Sequence, residues 1–235
     1  MVSGTIVAMG GGGFSMEESP LLDDHVLSLS RRPDRPRVCF VPTASGDAAS
    51  YADRFLAAFP AERAEASVLT LFTRTVSDLR AFVLAQDVVY VGGGSTANLL
   101  AVWRLHGLDE VLREALAEGV VGAGISAGMN CWFEGSVTDS FGPGLRPLAD
   151  GLGFLAGSAC PHYDGEPERR PTFQAAVASS ALPAGLAADD GCALVFRDGA
   201  LVEAVSSRPE ARAYRVERVD GDADEQPLEV RHLGG

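Results

Sequence analysis

The pentapeptide Gly124-Ile125-Ser126-Ala127-Gly128 places a hydroxyl between small residues at the end of an apolar run, Val120-Val121-Gly122-Ala123. A serine on a sharp turn between a strand and a helix holds its hydroxyl clear of the sheet, and the N–H groups that open the helix face the place where an oxyanion would form. Glycines in such a segment also serve plain tight turns, but the strand before and the helix after favour a nucleophile at Ser126. A serine hydroxyl needs a base to take its proton. Of the four histidines, His25 lies in an Asp-rich segment, His106 beside a helix-ending glycine and His232 near the C-terminus. His162 differs. In Ser158-Ala159-Cys160-Pro161-His162-Tyr163-Asp164-Gly165 it follows a short apolar stretch inside a turn-rich loop, the position where open α/β sheets bind ligands.

A third group must orient the imidazole and offset its charge. Glu134 and Asp139 both lie between the serine and the histidine. A helix continuing from Ser126 would carry Glu134 away from the turn at about 1.5 Å per residue. Asp139, after Gly135-Ser136-Val137-Thr138, falls on a returning segment and is the preferred candidate, with Glu134 the alternative. Asp164 and Glu166 are weaker options, suited to holding the histidine loop. A second glycine signal, Gly92-Gly93-Gly94-Ser95-Thr96, has three readings: a phosphate cradle, backbone donors to an oxyanion, or a simple turn. No lysine follows as in a phosphate-binding loop, and the spacing is not G-x-G-x-x-G. Donation to an oxyanion, which requires close backbone approach, is favoured. Residues 10–13 give a similar but more ambiguous signal.

These residues need a scaffold that ends strands at one edge. Residues 5–9, 37–41, 67–72, 87–91 and 120–125 are short apolar runs, each closed by glycine, proline, serine or a polar turn, and amphipathic helical spacing fills 51–59, 77–85, 98–106 and 108–118. Continuous apolar strands alternating with helices predict a doubly wound α/β fold whose mostly parallel sheet is covered on both faces. From about residue 183 short strands follow at 185–188, 192–196, 201–205 and 213–216, with Asp198-Gly199 as a hairpin turn. They predict antiparallel C-terminal strands added to the main sheet, within a single domain over residues 1–235. The acidic segment 220–227 reads as a loop or frayed tail.

The chain has 235 residues, with 46% hydrophobic and 22% charged, values that suit a globular protein with a sizeable core. Lys plus Arg number 19 against 32 Asp plus Glu, a formal charge of −13 that repels phosphate backbones and anionic membranes. Nucleic acid and membrane partners are therefore not expected. The four cysteines form no C-x-x-C pair and have apolar neighbours, which reads as reduced, buried thiols instead of zinc ligands or disulfides. Residues 1–13 show no basic stretch followed by an apolar one and a cleavage site, and no apolar run reaches the roughly 20 residues that span a bilayer. A soluble, cytoplasmic protein is expected.

In order and in sequence, several blocks resemble the peptidase E and cyanophycinase family of serine peptidases. They are Gly92-Gly93-Gly94-Ser95-Thr96-Ala97-Asn98, Gly124-Ile125-Ser126-Ala127-Gly128 and Cys160-Pro161-His162-Tyr163-Asp164-Gly165-Glu166. The chain is most similar to the bacterial peptidase E-like branch, through Cys131-Trp132-Phe133-Glu134 and Thr138-Asp139-Ser140-Phe141-Gly142-Pro143-Gly144-Leu145, and Ala188-Asp189-Asp190-Gly191 and Val205-Ser206-Ser207-Arg208-Pro209 continue the likeness. The resemblance implies a Rossmann-like sheet related to class I amidotransferase domains, and a Ser–His–Asp/Glu hydrolase acting on dipeptides with N-terminal aspartate. It implies Ser126 as nucleophile, His162 as base, and Gly93 or Gly94 with Ala127 as oxyanion donors. The family's acid precedes the histidine by a little over twenty residues; Asp139, at 162 − 139 = 23, fits better than Glu134, at 28. Arg169 lies in the region where the family grips the aspartyl carboxylate. No metal or organic cofactor is implied, and a homodimer is. Hydrolysis of cyanophycin-like polymers or β-aspartyl peptides is the alternative activity, and a non-catalytic binding member of the family the alternative role.

Overall fold

The computed structural model describes residues 3–17 and 19–235; Met1 and Val2, which open the N-terminal segment read above as lacking a leader, lie outside the described residues. In chain order the strands are β1 (Thr5–Met9), β2 (Arg37–Val41), β3 (Glu65–Val68), β4 (Val88–Val91), β5 (Val121–Ile125), β6 (Phe133–Thr138) and β7 (Arg146–Leu148). They continue as β8 (Leu155–Cys160), β9 (Gly185–Ala188), β10 (Cys192–Arg197), β11 (Ala200–Ser206), β12 (Ala213–Val219), β13 (Asp222–Pro227) and β14 (Arg231–His232). Eight of them form one sheet in the order β14-β11-β10-β1-β5-β4-β2-β3. Its β1, β2, β3, β4 and β5 are parallel, while β10 runs antiparallel beside β1 and β11 antiparallel beside β10. This is the expected Rossmann-like, mostly parallel architecture.

The strands read as continuous apolar runs because both faces are buried. Period-two alternation sends Ile6, Ala8, Cys39, Val41, Val89 and Val91 into the core on one face. Val7, Met9, Val38, Phe40, Val88 and Tyr90 enter the core on the other. On that second face Phe14 meets Phe40, Phe55 and Tyr90 edge-on, with ring centroids 5.2–5.3 Å apart. Such contacts contribute about 0.5–1.5 kcal/mol each beyond burial. They pin the glycine-rich turn after β1 to the body of the molecule. Helices Ala49–Ala58, Leu79–Leu84, Thr96–His106 and Leu108–Ala117 lie within or close to the expected segments. Asp78 caps the second of these by accepting a hydrogen bond from Ala81 N–H at 2.9 Å. Among the described residues no helix is long and apolar enough to cross a membrane.

Three local expectations are corrected. The helix opened by Ser126 is one turn long, Ala127–Asn130, and the chain then enters β6, so Glu134 sits on a strand and not two turns along a helix. The C-terminal strands do not all join the main sheet: β9, β12 and β13 combine with β8, β6 and β7 in a second sheet of order β13-β12-β9-β8-β6-β7. Residues 222–227, expected as an acidic loop or tail, form β13, hydrogen-bonded along its length to β12. The Asp198-Gly199 turn is as expected, with both residues at positive φ (50° and 79°) between β10 and β11.

Candidate active site

The carboxyl ends of β1, β4 and β5 lie side by side in the main sheet, and each ends in one of the sequence's glycine-rich or serine-bearing turns. Ser126 leaves β5 with φ 59° and ψ −111°, outside the regions open to L-residues at little strain. Strain of this kind persists only where the surroundings impose it. Here Ser126 N–H donates to the Met9 carbonyl at 3.1 Å while its own carbonyl accepts from Met129 and Asn130 N–H at 2.9 Å. Gly124 has to be glycine, because a Cβ there would stand 2.2 Å from the Gly128 carbonyl oxygen. Ser126 is half-buried and its side chain caps nothing, so the hydroxyl is left to the cleft.

Gly93 faces Ser126: a Cβ built on it would lie 3.7 Å from the serine Oγ. Its N–H donates to the Tyr51 hydroxyl at 3.3 Å, a long bond that an incoming oxyanion can displace. Gly94 follows with φ 135°, and the helix Thr96–His106 begins two residues later, with Ser95 accepting from Asn98 N–H as its cap. Ala127 opens the one-turn helix directly after the serine.

His162 comes from the other sheet, two residues past β8, and is itself at positive φ (53°). Its N–H donates to the Gly10 carbonyl at 3.1 Å, tying the loop to the turn after β1. The imidazole and Ser126 line the same cleft. Among the described residues no hydrogen bond joins Ser126 Oγ to the ring, a separation common in active sites without substrate.

The carboxylate that meets the imidazole is Asp190, with Oδ1 at 2.6 Å from His162 Nδ1. Neither Asp139 nor Glu134 stands there. Glu134 accepts from Gly157 N–H at 2.8 Å on an exposed face of β6. Asp139, at the end of β6, is exposed and lines a cleft with Ser126, Glu166 and Arg169. Asp190 reaches the histidine because β8 and β9 are parallel neighbours, Cys160 opposite Ala187, so the residues just past their carboxyl ends converge. It is held firmly. Its N–H donates to Asp164 Oδ1 at 2.8 Å, and Arg208 bridges the Asp190 carbonyl to Asp164 Oδ2, the latter at 2.9 Å. Asp164 thus holds the loop, one of the two parts weighed for it from sequence. The adjacent Asp189 turns inward to accept from Arg212 N–H at 2.8 Å, and burial pushes its carboxyl up to about 6.

Gly11 lies against this pair, and a Cβ there would fall 2.0 Å from Asp190 Oδ1 and 3.1 Å from His162 Nδ1. The ambiguous glycines of residues 10–13 therefore make room for a carboxylate–imidazole contact. Gly11→Ala is expected to displace the carboxylate and lower kcat about 100-fold, since misplacing such a group by an ångström has that effect. Steady-state kinetics beside a thermal melt would check it; unchanged kcat would count against the pair's importance. Arg169 begins the helix Arg169–Ala178 with its side chain buried. Its Nε donates to Glu166 at 2.7 Å and Nη1 to the Val137 carbonyl at 3.2 Å, at the wall of the cleft that holds Asp139 and Ser126.

Comparison with known proteins gives the family and the fold. Residues 6–204 match peptidase family S51. Over 230 residues, 97% of this chain and 99% of the relative, the sequence is 54% identical to the uncharacterized peptidase YgaJ of Bacillus subtilis. Peptidase E of Streptomyces coelicolor is 28% identical over 177 residues, 75% of this chain and 71% of that one. Among solved structures, a peptidase from an acI-B1 Actinobacterium superposes with a TM-score of 0.73 at 15% identity, covering 97% of this chain and 95% of that one. A peptidase E-like protein of Listeria monocytogenes superposes with a TM-score of 0.57 at 16% identity, covering 97% and 100%. These two structures share the fold.

Proposed function

This chain belongs to peptidase family S51, and on that footing we propose that it is a serine peptidase of short peptides, with Ser126 as nucleophile, His162 as base and Asp190 as the carboxylate that orients the base. The observation that carries the reading is the 2.6 Å contact between Asp190 Oδ1 and His162 Nδ1, on a ring that opens into the cleft of the strained Ser126. With the Nδ1 proton held by Asp190, Nε2 keeps its lone pair for the serine proton. Ser126 Oγ attacks the scissile carbonyl, forming a tetrahedral oxyanion that N–H groups of Gly93 or Gly94 and Ala127 receive. His162 then protonates the departing amine, and a water, deprotonated by the same ring, releases the acyl group from the serine.

Substrate preference follows from the polar cleft beside the nucleophile. Arg169 offers a guanidinium, suited to a side-chain carboxylate, while Asp139 and Glu166 suit an α-ammonium. An aspartyl dipeptide, Asp-X, carries both groups on its acyl half. A panel of Asp-Leu, Ala-Leu, Lys-Leu and β-Asp-Leu tests this. The expected result is cleavage of Asp-Leu with kcat/KM at least about tenfold above the others, the scale of one charge-assisted contact. Equal turnover of Ala-Leu would refute the aspartyl preference, and preferred cleavage of β-Asp-Leu would favour the isoaspartyl alternative.

A further inference from the structure

Two clefts flank Ser126 and differ in character. The first, with Asp139, Glu166 and Arg169, is strongly polar. The second, about 330 Å³, places Ile125, Met16 and Tyr51 around His162, with Arg54 at its rim. In acyl transfer the base that accepts the serine proton hands it to the leaving amine, so the leaving half must lie beside the imidazole. His162 borders the second cleft. That cleft is therefore the one that receives the leaving amino acid, an assignment resting on the hydrolase reading above.

Arg54 is exposed on the helix Ala49–Ala58 but not loosely placed. Its Nη1 donates to the Ser15 carbonyl at 3.0 Å, and its guanidinium lies 5.4 Å from the centre of the Tyr51 ring. That ring in turn packs on Phe40 and Phe14 at 4.9 and 5.5 Å and hydrogen-bonds Ser15 through its hydroxyl at 2.9 Å. Among the described residues no carboxylate pairs with Arg54, in a chain where acidic residues outnumber basic ones 32 to 19. A cation held in place, without a carboxylate among the described residues, at the rim of an apolar cleft is arranged for a ligand that is apolar in its body and anionic at its end.

The geometry points to Arg54 as the anchor for the free α-carboxylate of the leaving residue, with Met16, Tyr51 and Ile125 receiving an apolar side chain. The preferred leaving groups are then C-terminal leucine, methionine or phenylalanine with an unblocked carboxylate. A longer peptide presents a neutral amide at this position and loses the contact, which makes dipeptides the preferred substrates.

The test compares Asp-Leu with Asp-leucinamide as substrates for wild type, Arg54→Ala and Arg54→Lys. Wild type is expected to favour the free acid by about tenfold in kcat/KM, mostly through KM, as a charge-assisted contact at a solvent-facing site allows. Arg54→Ala should bring the acid-to-amide ratio close to one. Arg54→Lys should keep part of it, because an ammonium restores the charge without the guanidinium fork, and it serves as the informative variant if the alanine form fails to fold. A ratio near one in wild type, or one unchanged in both variants, overturns the assignment of Arg54. Wild type cleaving neither of these compounds nor any dipeptide of the panel above would instead overturn the hydrolase reading itself.

Discussion

Ser126→Ala is expected to lower kcat on the best dipeptide by about 10⁴-fold or more, the scale seen when a triad nucleophile is removed from a serine hydrolase. Fold and melting temperature should change little, because the serine side chain makes no hydrogen bond that caps or bridges an element. What holds the bend is backbone: Ser126 N–H on the Met9 carbonyl and the helix N–H groups on the serine carbonyl. All of these survive in alanine. Alanine also keeps the strained backbone at φ 59°, so the substitution isolates the hydroxyl from the turn that presents it. A purified Ser126→Ala protein turning over at the wild-type rate would end the acyl-enzyme mechanism.

The second large effect is expected at Asp190. Asp190→Asn would put an amide where the carboxylate now meets His162 Nδ1 at 2.6 Å. Whether the amide donates through its NH₂ or accepts through its oxygen, it lacks the charge that balances the imidazolium formed as Ser126 gives up its proton. Where it donates, the ring proton moves to Nε2, so the base confronts the serine with an N–H in place of a lone pair. A kcat loss of about 10³- to 10⁴-fold is expected, in line with the wrong-tautomer effect in other triads. Asp139→Asn and Glu134→Gln should behave otherwise. Asp139 lines the polar cleft, so its loss should raise KM for a substrate with a free α-ammonium and leave kcat within about tenfold. Among the described residues the exposed Glu134 side chain hydrogen-bonds Gly157 N–H alone, and its replacement should be close to silent. Kinetics of the three variants on one dipeptide would decide the matter. A collapse of kcat in Asp139→Asn with activity retained in Asp190→Asn would reverse the assignment.

The parts of the site legible in the sequence were those fixed by local chain geometry. A serine between small residues after an apolar strand admits few conformations, and Asp198-Gly199 between two strands admits fewer. The carboxylate was a different problem, because Asp190 meets His162 only through the pairing of β8 with β9 in a second sheet. An acid between serine and histidine requires the chain to return to the imidazole within that interval. The chain leaves the serine through the short helix, so Glu134 lies at the start of β6, the end remote from the imidazole, and β6 then runs parallel to β8 and leads to Asp139 in the polar cleft. The apolar Cys131-Trp132-Phe133 run disguised the change, since such a run suits either a buried helix or a strand. A signal was nonetheless present: Asp189-Asp190-Gly191 directly follows the Gly185–Ala188 strand, at the kind of strand end that singled out His162. The second sheet had a signal too. Asp220-Gly221 repeats the turn chemistry of Asp198-Gly199, with φ values of 53° and 100°, and it closes the β12–β13 hairpin where an acidic tail was expected.

The four cysteines have a consequence of their own. All are buried and unbridged, and loss of hydration pushes the thiols of Cys39, Cys160 and Cys192 up to about 12 and raises that of Cys131 well above its ordinary value. Thiolate is the form that oxidants and electrophiles attack, so the folded molecule shields its thiols twice over, by inaccessibility and by protonation. Cys39 and Cys192 lie in the central sheet, Cys160 ends the strand leading to the histidine, and Cys131 follows the short helix of the serine. Oxidation of the thiols is thereby coupled to opening of the fold: thiolate chemistry begins once the structure that supports hydrolysis has come apart.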